Sequence, residues 1–324
     1  MRVYNIRSGR KQPGLKPQHL LSAHAANAVS SGRLEGAVLN SRELIFYPGP
    51  LKAGSFCFDV SNHAHSAGST CLVLQTILPA LCFAGGKSSV VIKGGTHVEW
   101  SPPADYLRDV FLPTVLPMGI SFNLSTVKWG FYPAGKGEVY AGIDPAPLPL
   151  FPINITERGA LKKISVLSAA GGLPLDIARR QFERAKERLR ENGFTSGGRY
   201  ETAASLGRGT FLFVLATFEN IRAGFSSLGA RGKKAASVSD EAVDAFLRYM
   251  GNKGALDAHL SDQVLLFMAL AKGGSSITTV ELTQHLRTNA YVIERFLPVR
   301  FLISAENPPA VKVMEGSAFV YEWP

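Results

Sequence analysis

Two periodicities, one of two residues and one near 3.6, alternate along the chain and divide it into strand and helix candidates. Apolar alternation predicts strands over 43–47 and 55–60, a nearly unbroken apolar stretch predicts a buried helix over 69–83, and 88–93 reads as a further strand. Upstream, Pro17 opens a helical segment running to about Ser31, with the proline in the first turn, where its missing N–H costs nothing. A short helix over 103–113 carries Asp105 and Arg108, and a glycine-rich turn at 130 leads into a strand by 140.

The texture changes near Gly159. A strand over 162–170 precedes an amphipathic helix over 176–192, with Ala178, Phe182, Ala185 and Leu189 on one face and Gly193 at its end. The Arg and Lys residues of that helix interleave with glutamates, which describes a solvated face. An apolar strand over 209–218 and a loose run over 229–236 complete what reads as a small inserted α/β domain, 159–237, within a core formed by 1–158 and 238–324. Helices over 239–250 and 260–271 and strands over 300–304 and 311–314 finish the chain. Glycine punctuation at Gly94-Gly95, Gly135 to Gly137 and Gly273-Gly274 predicts repetition of similar units, although the residues between them match poorly. The fold class is therefore α/β (α+β).

Composition narrows the function. With 324 residues, 46% of them hydrophobic, the chain has material for one large core or two ordinary ones. A net charge of +10 and an isoelectric point near 9.6 favour an anionic partner, whether nucleic acid, nucleotide or an acidic surface. Three cysteines, Cys57, Cys71 and Cys82, are odd in number and form no CxxC pair, which argues against a disulfide framework or structural zinc. The longest apolar run, 70–86, is interrupted by Gln75 and Pro79 and is too short for a bilayer, and no signal-peptide pattern follows Met1. A soluble, intracellular protein with no membrane partner is expected.

Candidate chemistry begins at the N-terminus. A loop with Arg7 and Arg10 feeds a helix start bearing Gln18 and His19, a physical anion site in which guanidinium forks and free backbone N–H groups converge. The same residues also describe a solvated basic arm. Among seven histidines, His63 and His65 form an HxH without nearby acidic or cysteine partners, His24 reads as a surface residue, and His97 after a glycine pair as structural. His259 leads the stretch Leu260-Ser261-Asp262-Gln263, and His285 stands just before a helical stretch over 289–296 whose start would orient a phosphate. Imidazole is a nucleophile at neutral pH, and Asp262 is placed to orient or tune one.

Several ordered motifs carry a resemblance. These are Ile6-Arg7-x-Gly-Arg10-x-x-Pro-Gly-Leu-x-Pro-Gln18-His19, Ser66-Ala-Gly-Ser-Thr-Cys-Leu-Val-Leu-Gln75-Thr, and Gly94-Gly-Thr-His97 with Pro102-Pro-Ala-Asp105. Gly130-Phe-Tyr-Pro, His259-Leu-Ser-Asp-Gln263 and the run from His285 to Phe301 follow, with only 159–237 matching weakly. Together they resemble the RNA 3′-terminal phosphate cyclase family. That resemblance implies repeated units of two helices and a four-stranded sheet, as in enolpyruvyl transferases, with a small inserted α/β domain. It implies conversion of an RNA 3′-phosphate to a 2′,3′-cyclic phosphate with ATP and a divalent metal, magnesium or manganese. By the same likeness His285 carries AMP, Arg7, Arg10, Gln18 and His19 surround phosphates, and Gln75, Pro102 and His259 to Gln263 hold ATP, with His259 stacking on the base.

Two departures qualify the expectation. Family members usually begin roughly thirty residues earlier, with a strand and helix carrying a Glu-Gly-Gly-Gly-Gln run, so a degenerate or truncated, inactive form is a competing expectation. Lys136 interrupts a glycine triplet usual in the family. The family's non-catalytic cyclase-like branch, active in ribosomal RNA processing, is the rival, but it typically lacks the nucleophilic histidine that stands here as His285. The resemblance places the protein in the nucleoplasm if eukaryotic and in the cytoplasm otherwise.

Overall fold

The structure, a computed structural model, describes residues 1–60 and 67–315. His63 and His65 lie outside the described residues. The most complete unit runs β-α-β-α-β-β through β4 (Ser55–Asp59), α2 (Thr70–Cys82), β5 (Ser88–Gly94), a helical stretch, β6 (Phe122–Lys128) and β7 (Gly137–Ile143). Its sheet order is β4-β5-β7-β6, parallel between β4 and β5 and antiparallel elsewhere. The helix α2 forms because Ser69 caps it, its hydroxyl accepting the Leu72 N–H at 3.2 Å, and because most of its residues are apolar, with eight of the thirteen buried. The helical stretch comprises α3 (Ala104–Tyr106), a π turn over Leu107–Phe111 and α4 (Leu112–Val115), running beyond the expected end at 113 because Pro113 sits in the first turn of α4, where its ring is tolerated.

The same arrangement returns at the C-terminal end. Here β8 (Asn154–Ile155) pairs parallel with β13 (Ser276–Thr278), which is followed antiparallel by β15 (Ala310–Glu315) and β14 (Val299–Ser304). The helices α7 (Leu260–Gln263) and α8 (Leu265–Leu270) lie between β8 and β13, and α9 (Gln284–Ile293) between β13 and β14. Near the N-terminus, β1 (Arg2–Tyr4), α1 (Pro17–Val29), β2 (Arg33–Glu35) and β3 (Glu43–Tyr47) repeat the last strand-helix-strand-strand portion, with sheet order β1-β3-β2. The expected repeated units with four-stranded sheets are present.

The fourth sheet, β10-β9-β11-β12, differs. It contains β9 (Leu161–Gly171), β10 (Gly197–Thr202), β11 (Gly209–Phe218) and β12 (Arg222–Leu228), with α5 (Leu175–Glu191) crossing between the parallel β9 and β10. The sequence places the end of this small unit at 237, yet α6 (Ala235–Met250) packs on α5 and on strands β11 and β12. Buried Ser239 seals the contact, its hydroxyl donating to the Gln181 carbonyl at 2.7 Å. The arginines of α5 are largely engaged: Arg179 and Arg180 with Asp176, and Arg184 and Arg188 with Asp240 and Asp244 of α6.

Arg158 holds the entrance and exit of the small unit together. Its guanidinium donates to the Tyr249 carbonyl at 3.0 Å, to Gly254 at 2.7 Å and to Asn252, and it lies 4.0 Å over the Tyr249 ring. A planar fork with three carbonyl acceptors has no equivalent in an ammonium. Arg158→Ala is expected to lower the unfolding free energy by about 2 kcal/mol, and Arg158→Lys to restore less than half of that in urea denaturation.

Candidate active site

The short helix α7 is built by Asp257. One carboxylate oxygen accepts the N–H groups of His259 and Leu260, both at 3.0 Å, which caps the turn. The Tyr106 hydroxyl donates to both oxygens of the same carboxylate, at 2.8 and 2.9 Å. Burial raises the Asp257 carboxyl, while the N–H of Leu260 and the Tyr106 hydroxyl pull it back, leaving it above its ordinary value. Tyr106 is itself pushed well up by burial and by the Asp257 charge, so its hydroxyl remains a donor. Leu260 and Ser261 face inward, with the Ser261 hydroxyl donating to the Ala258 carbonyl at 3.0 Å, while His259 is exposed and Asp262 half-buried.

The Asp262 carboxyl is coupled electrostatically to both histidines, His259 and His285. Burial pushes it up to about 6, against opposing pulls from His285 and His259 and a further upward push from Asp257. The sequence stretch expected as one helix over 260–271 is two, α7 and α8, meeting at Val264. A second correction concerns His285. It does not precede its helix but lies in the first turn of α9, because the Thr283 hydroxyl accepts the Leu286 N–H at 3.1 Å and starts the helix at Gln284. Exposed His285 thus stands at the positive end of a helix dipole, and Asn289 ties α9 to α7 by donating to the Asp262 carbonyl at 3.3 Å.

Other motif residues join this edge in pairs. Gln75 of α2 donates to the Gln263 side chain at 2.9 Å, linking residues 188 apart. Gln18 donates to the Ser69 carbonyl at 3.1 Å, the Ser69 and Ser101 hydroxyls are hydrogen-bonded, and Ser101 donates to the Pro102 carbonyl at 3.1 Å. This chain of contacts runs from the N-terminal basic segment to Pro102. Gly68 permits it, since a Cβ there would meet the Gln18 amide oxygen at 2.8 Å. Within the basic segment the residues are less convergent: the Arg7 guanidinium donates to the Gln12 carbonyl at 3.1 Å, Arg10 is exposed, and the His19 ring accepts the Lys16 N–H at 3.2 Å. Burial lowers the His19 pKa and the neighbouring Arg7 and Lys16 charges lower it further, so its imidazole is neutral at pH 7.

The sequence missed Asp257, Tyr106, Ser69 and Ser101. Only Asp257 had a legible signal, an aspartate at capping distance before a helix. His97 is structural, as expected: fully buried, it stacks on Trp129 at 3.8 Å and hydrogen-bonds Thr96 and Asp105 at 2.7 and 2.8 Å. Among the described residues, no three His, Cys, Asp or Glu side chains are grouped to hold a metal ion, and no helix is long and apolar enough to cross a membrane.

Repeated β-α-β-α-β-β units with an inserted small sheet define an α/β protein, in which two histidines are coupled to the half-buried Asp262 carboxyl. The family model described as RNA 3′-terminal phosphate cyclase matches residues 1–303. An RNA 3′-terminal phosphate cyclase of Methylococcus capsulatus is 40% identical over 299 residues, covering 91% of this chain and 83% of its own. One from Ralstonia nicotianae is 40% identical over 310 residues, 96% and 87% respectively. A third, from Pyrobaculum neutrophilum, is 37% identical over 320 residues, 98% and 90%. The chain belongs to the RNA 3′-terminal phosphate cyclase family.

The raised Asp262 carboxyl has a thermodynamic signature. Its folded form holds a proton more tightly than the unfolded chain, so this group's contribution to stability grows as pH falls through about 6 and is lost as pH rises through it. Asp262→Asn is expected to raise the melting temperature at pH 8, with the difference from the unsubstituted protein vanishing near pH 4. Equal differences at both pH values would contradict the assignment.

Proposed function

We propose that the chain is an ATP-dependent RNA 3′-terminal phosphate cyclase that works through a histidine–AMP intermediate. The observation that carries this reading is His285 in the capped first turn of α9, electrostatically coupled to half-buried Asp262, in a chain of this family. In the first step an imidazole nitrogen of His285 attacks the α-phosphorus of ATP, forming an N–P bond as the P–O bond to pyrophosphate breaks. The positive charge that develops on the ring is offset by the Asp262 carboxyl, which is coupled to it electrostatically and largely ionised at neutral pH. In the second, an oxygen of the RNA 3′-phosphate attacks the same phosphorus and the imidazole leaves. In the third, the adjacent 2′-hydroxyl attacks the 3′-phosphorus, losing its proton, and AMP departs with the bridging oxygen.

The logic is one of leaving groups: a phosphate dianion offers none, and adenylylation supplies it. Arg7, Arg10, Gln18 and His19 serve the phosphates, and Gln75, Pro102, His259 and Gln263 the adenosine, with Leu260 and Ser261 contributing through the backbone geometry of α7. Magnesium or manganese suits this arrangement as an ion carried mainly by ATP phosphates and water, since magnesium commonly keeps several waters and takes few protein ligands. The small unit, 159–237 with α6, is inserted into the last repeat.

Incubation with α-labelled ATP and a divalent metal is expected to leave label on the protein. His285→Ala is expected to abolish it, at least about a thousandfold, without changing the melting temperature of this exposed position. Cyclisation of an RNA oligomer with a 3′-phosphate should fall in parallel. A folded protein that takes no label would instead favour a non-catalytic RNA-binding role.

A further inference from the structure

Two aromatic rings unused by the chemistry above stand in solvent. Trp100 is 95% exposed and has φ 62°, and Tyr132 is 76% exposed. A tryptophan in the left-handed region is doubly unfavourable, because its Cβ crowds the following carbonyl and its apolar faces lie in water. Both rings are presented by well-anchored loops. Trp100 lies three residues after fully buried His97, and Tyr132 follows buried Phe131. The His97 N–H donates to the Gly130 carbonyl at 3.1 Å and His97 bridges to Phe131, so the two loops run side by side.

Their position relative to the candidate site is set by the chain. Trp100 directly precedes Ser101, which is hydrogen-bonded to Ser69 and to the Pro102 carbonyl. It therefore stands where the contacts leading to Gln18 meet Pro102. Exposed cations lie on the segments next to the second ring. Lys136, with φ 53°, belongs to the same turn as Tyr132, and Lys128 lies just ahead of it. Arg208 follows Gly207, whose Cβ, if present, would lie 3.2 Å from Ala134. None of the three cations holds an ion pair among the described residues. The lysine that interrupts the glycine triplet thus occupies glycine-like backbone with its charge directed outward.

Resting on the cyclase reading, we infer that Trp100 and Tyr132 form a stacking platform for bases of single-stranded RNA upstream of its 3′ end, with Lys128, Lys136 and Arg208 engaging the backbone phosphates. Rings interleaved with unpaired cations match single-stranded RNA, whose unstacked bases offer π-faces between regularly spaced negative charges. A protein-docking surface would instead have an apolar centre depleted of lysine. Stacking accepts any base, so the platform fits an enzyme that selects the end of an RNA more than its sequence.

The test uses the full chain and an RNA of about ten nucleotides bearing a 3′-phosphate, a length within single-strand site sizes. Without ATP, this RNA is expected to quench tryptophan emission, and Trp100→Phe to remove most of the quench while keeping the KM for RNA near its original value. Trp100→Ala and Tyr132→Ala are each expected to raise that KM about fivefold to 150-fold, with self-adenylylation by ATP unchanged. Arg208→Ala is expected to reduce the salt dependence of RNA binding by about 0.7 in log–log slope. An unchanged KM in both alanine variants would overturn the platform, as would a parallel loss of self-adenylylation, which would assign the rings to ATP. Absence of the histidine–AMP in the unsubstituted protein would overturn the cyclase reading separately, while the quench and its dependence on Trp100 still judge the platform.

Discussion

The candidate site depends on two consecutive side chains at the start of one helical stretch, Asp105 and Tyr106. Successive residues of a helix point about 100° apart, so the pair reaches two different neighbours. Asp105 accepts from His97 and, at 2.6 Å, from Arg108; burial alone would raise its carboxyl, but those cationic and hydrogen-bonding partners hold it down to about 2. His97 in turn is kept neutral by burial, and its ring fills the space between Trp129 and Phe211 of the small sheet. Tyr106 points to Asp257 and thereby to the turn that carries His259, Asp262 and Gln263. Two buried carboxylates, each costly without partners, thus join the central unit to the small sheet on one side and to the histidine-bearing repeat on the other.

Elements with strong local patterning were legible in the sequence. The helix α2, apolar along its buried face and capped by Ser69, and the strand Gly209–Phe218 needed no tertiary information. Strands β6 and β12 were not foreseen, for a physical reason. Arg222–Leu228 contains a glycine and two serines, weak strand formers, and exists because β11 pairs with it along its whole length. The small unit's end was set at 237 because a helix pattern reports which face is apolar and not which sheet will cover that face. In α6 the covering surface is β11, β12 and α5.

The site divides in the same way. Residue types and order made His285, Asp262 and the glutamines conspicuous, but the Gln75–Gln263 contact spans 188 residues and follows only from the folded repeats. Asp257 and Tyr106 were overlooked because neither looks chemical in isolation; their importance comes from burial and from three converging donors. The start of α9 turned on a threonine hydroxyl, and moving that start by a single turn changes His285 from a residue facing a helix to one carried by it.

Arg158 has a consequence for the order of folding. The last sheet needs Asn154 beside Ser276, and Ile155 beside Ile277, yet the whole small unit lies between those partners in the chain. Closing so long a loop without help carries an entropic cost that grows logarithmically with its length. With the small unit folded, Arg158 and the carbonyls of Tyr249, Asn252 and Gly254 bring its two ends together, and the loop left to close is the segment from Gly254 to Ser276 with the few residues before Arg158. The insert therefore shortens its host's path to closure: the sheet of the repeat that carries His285 spans a much smaller loop with the interrupting module formed than without it.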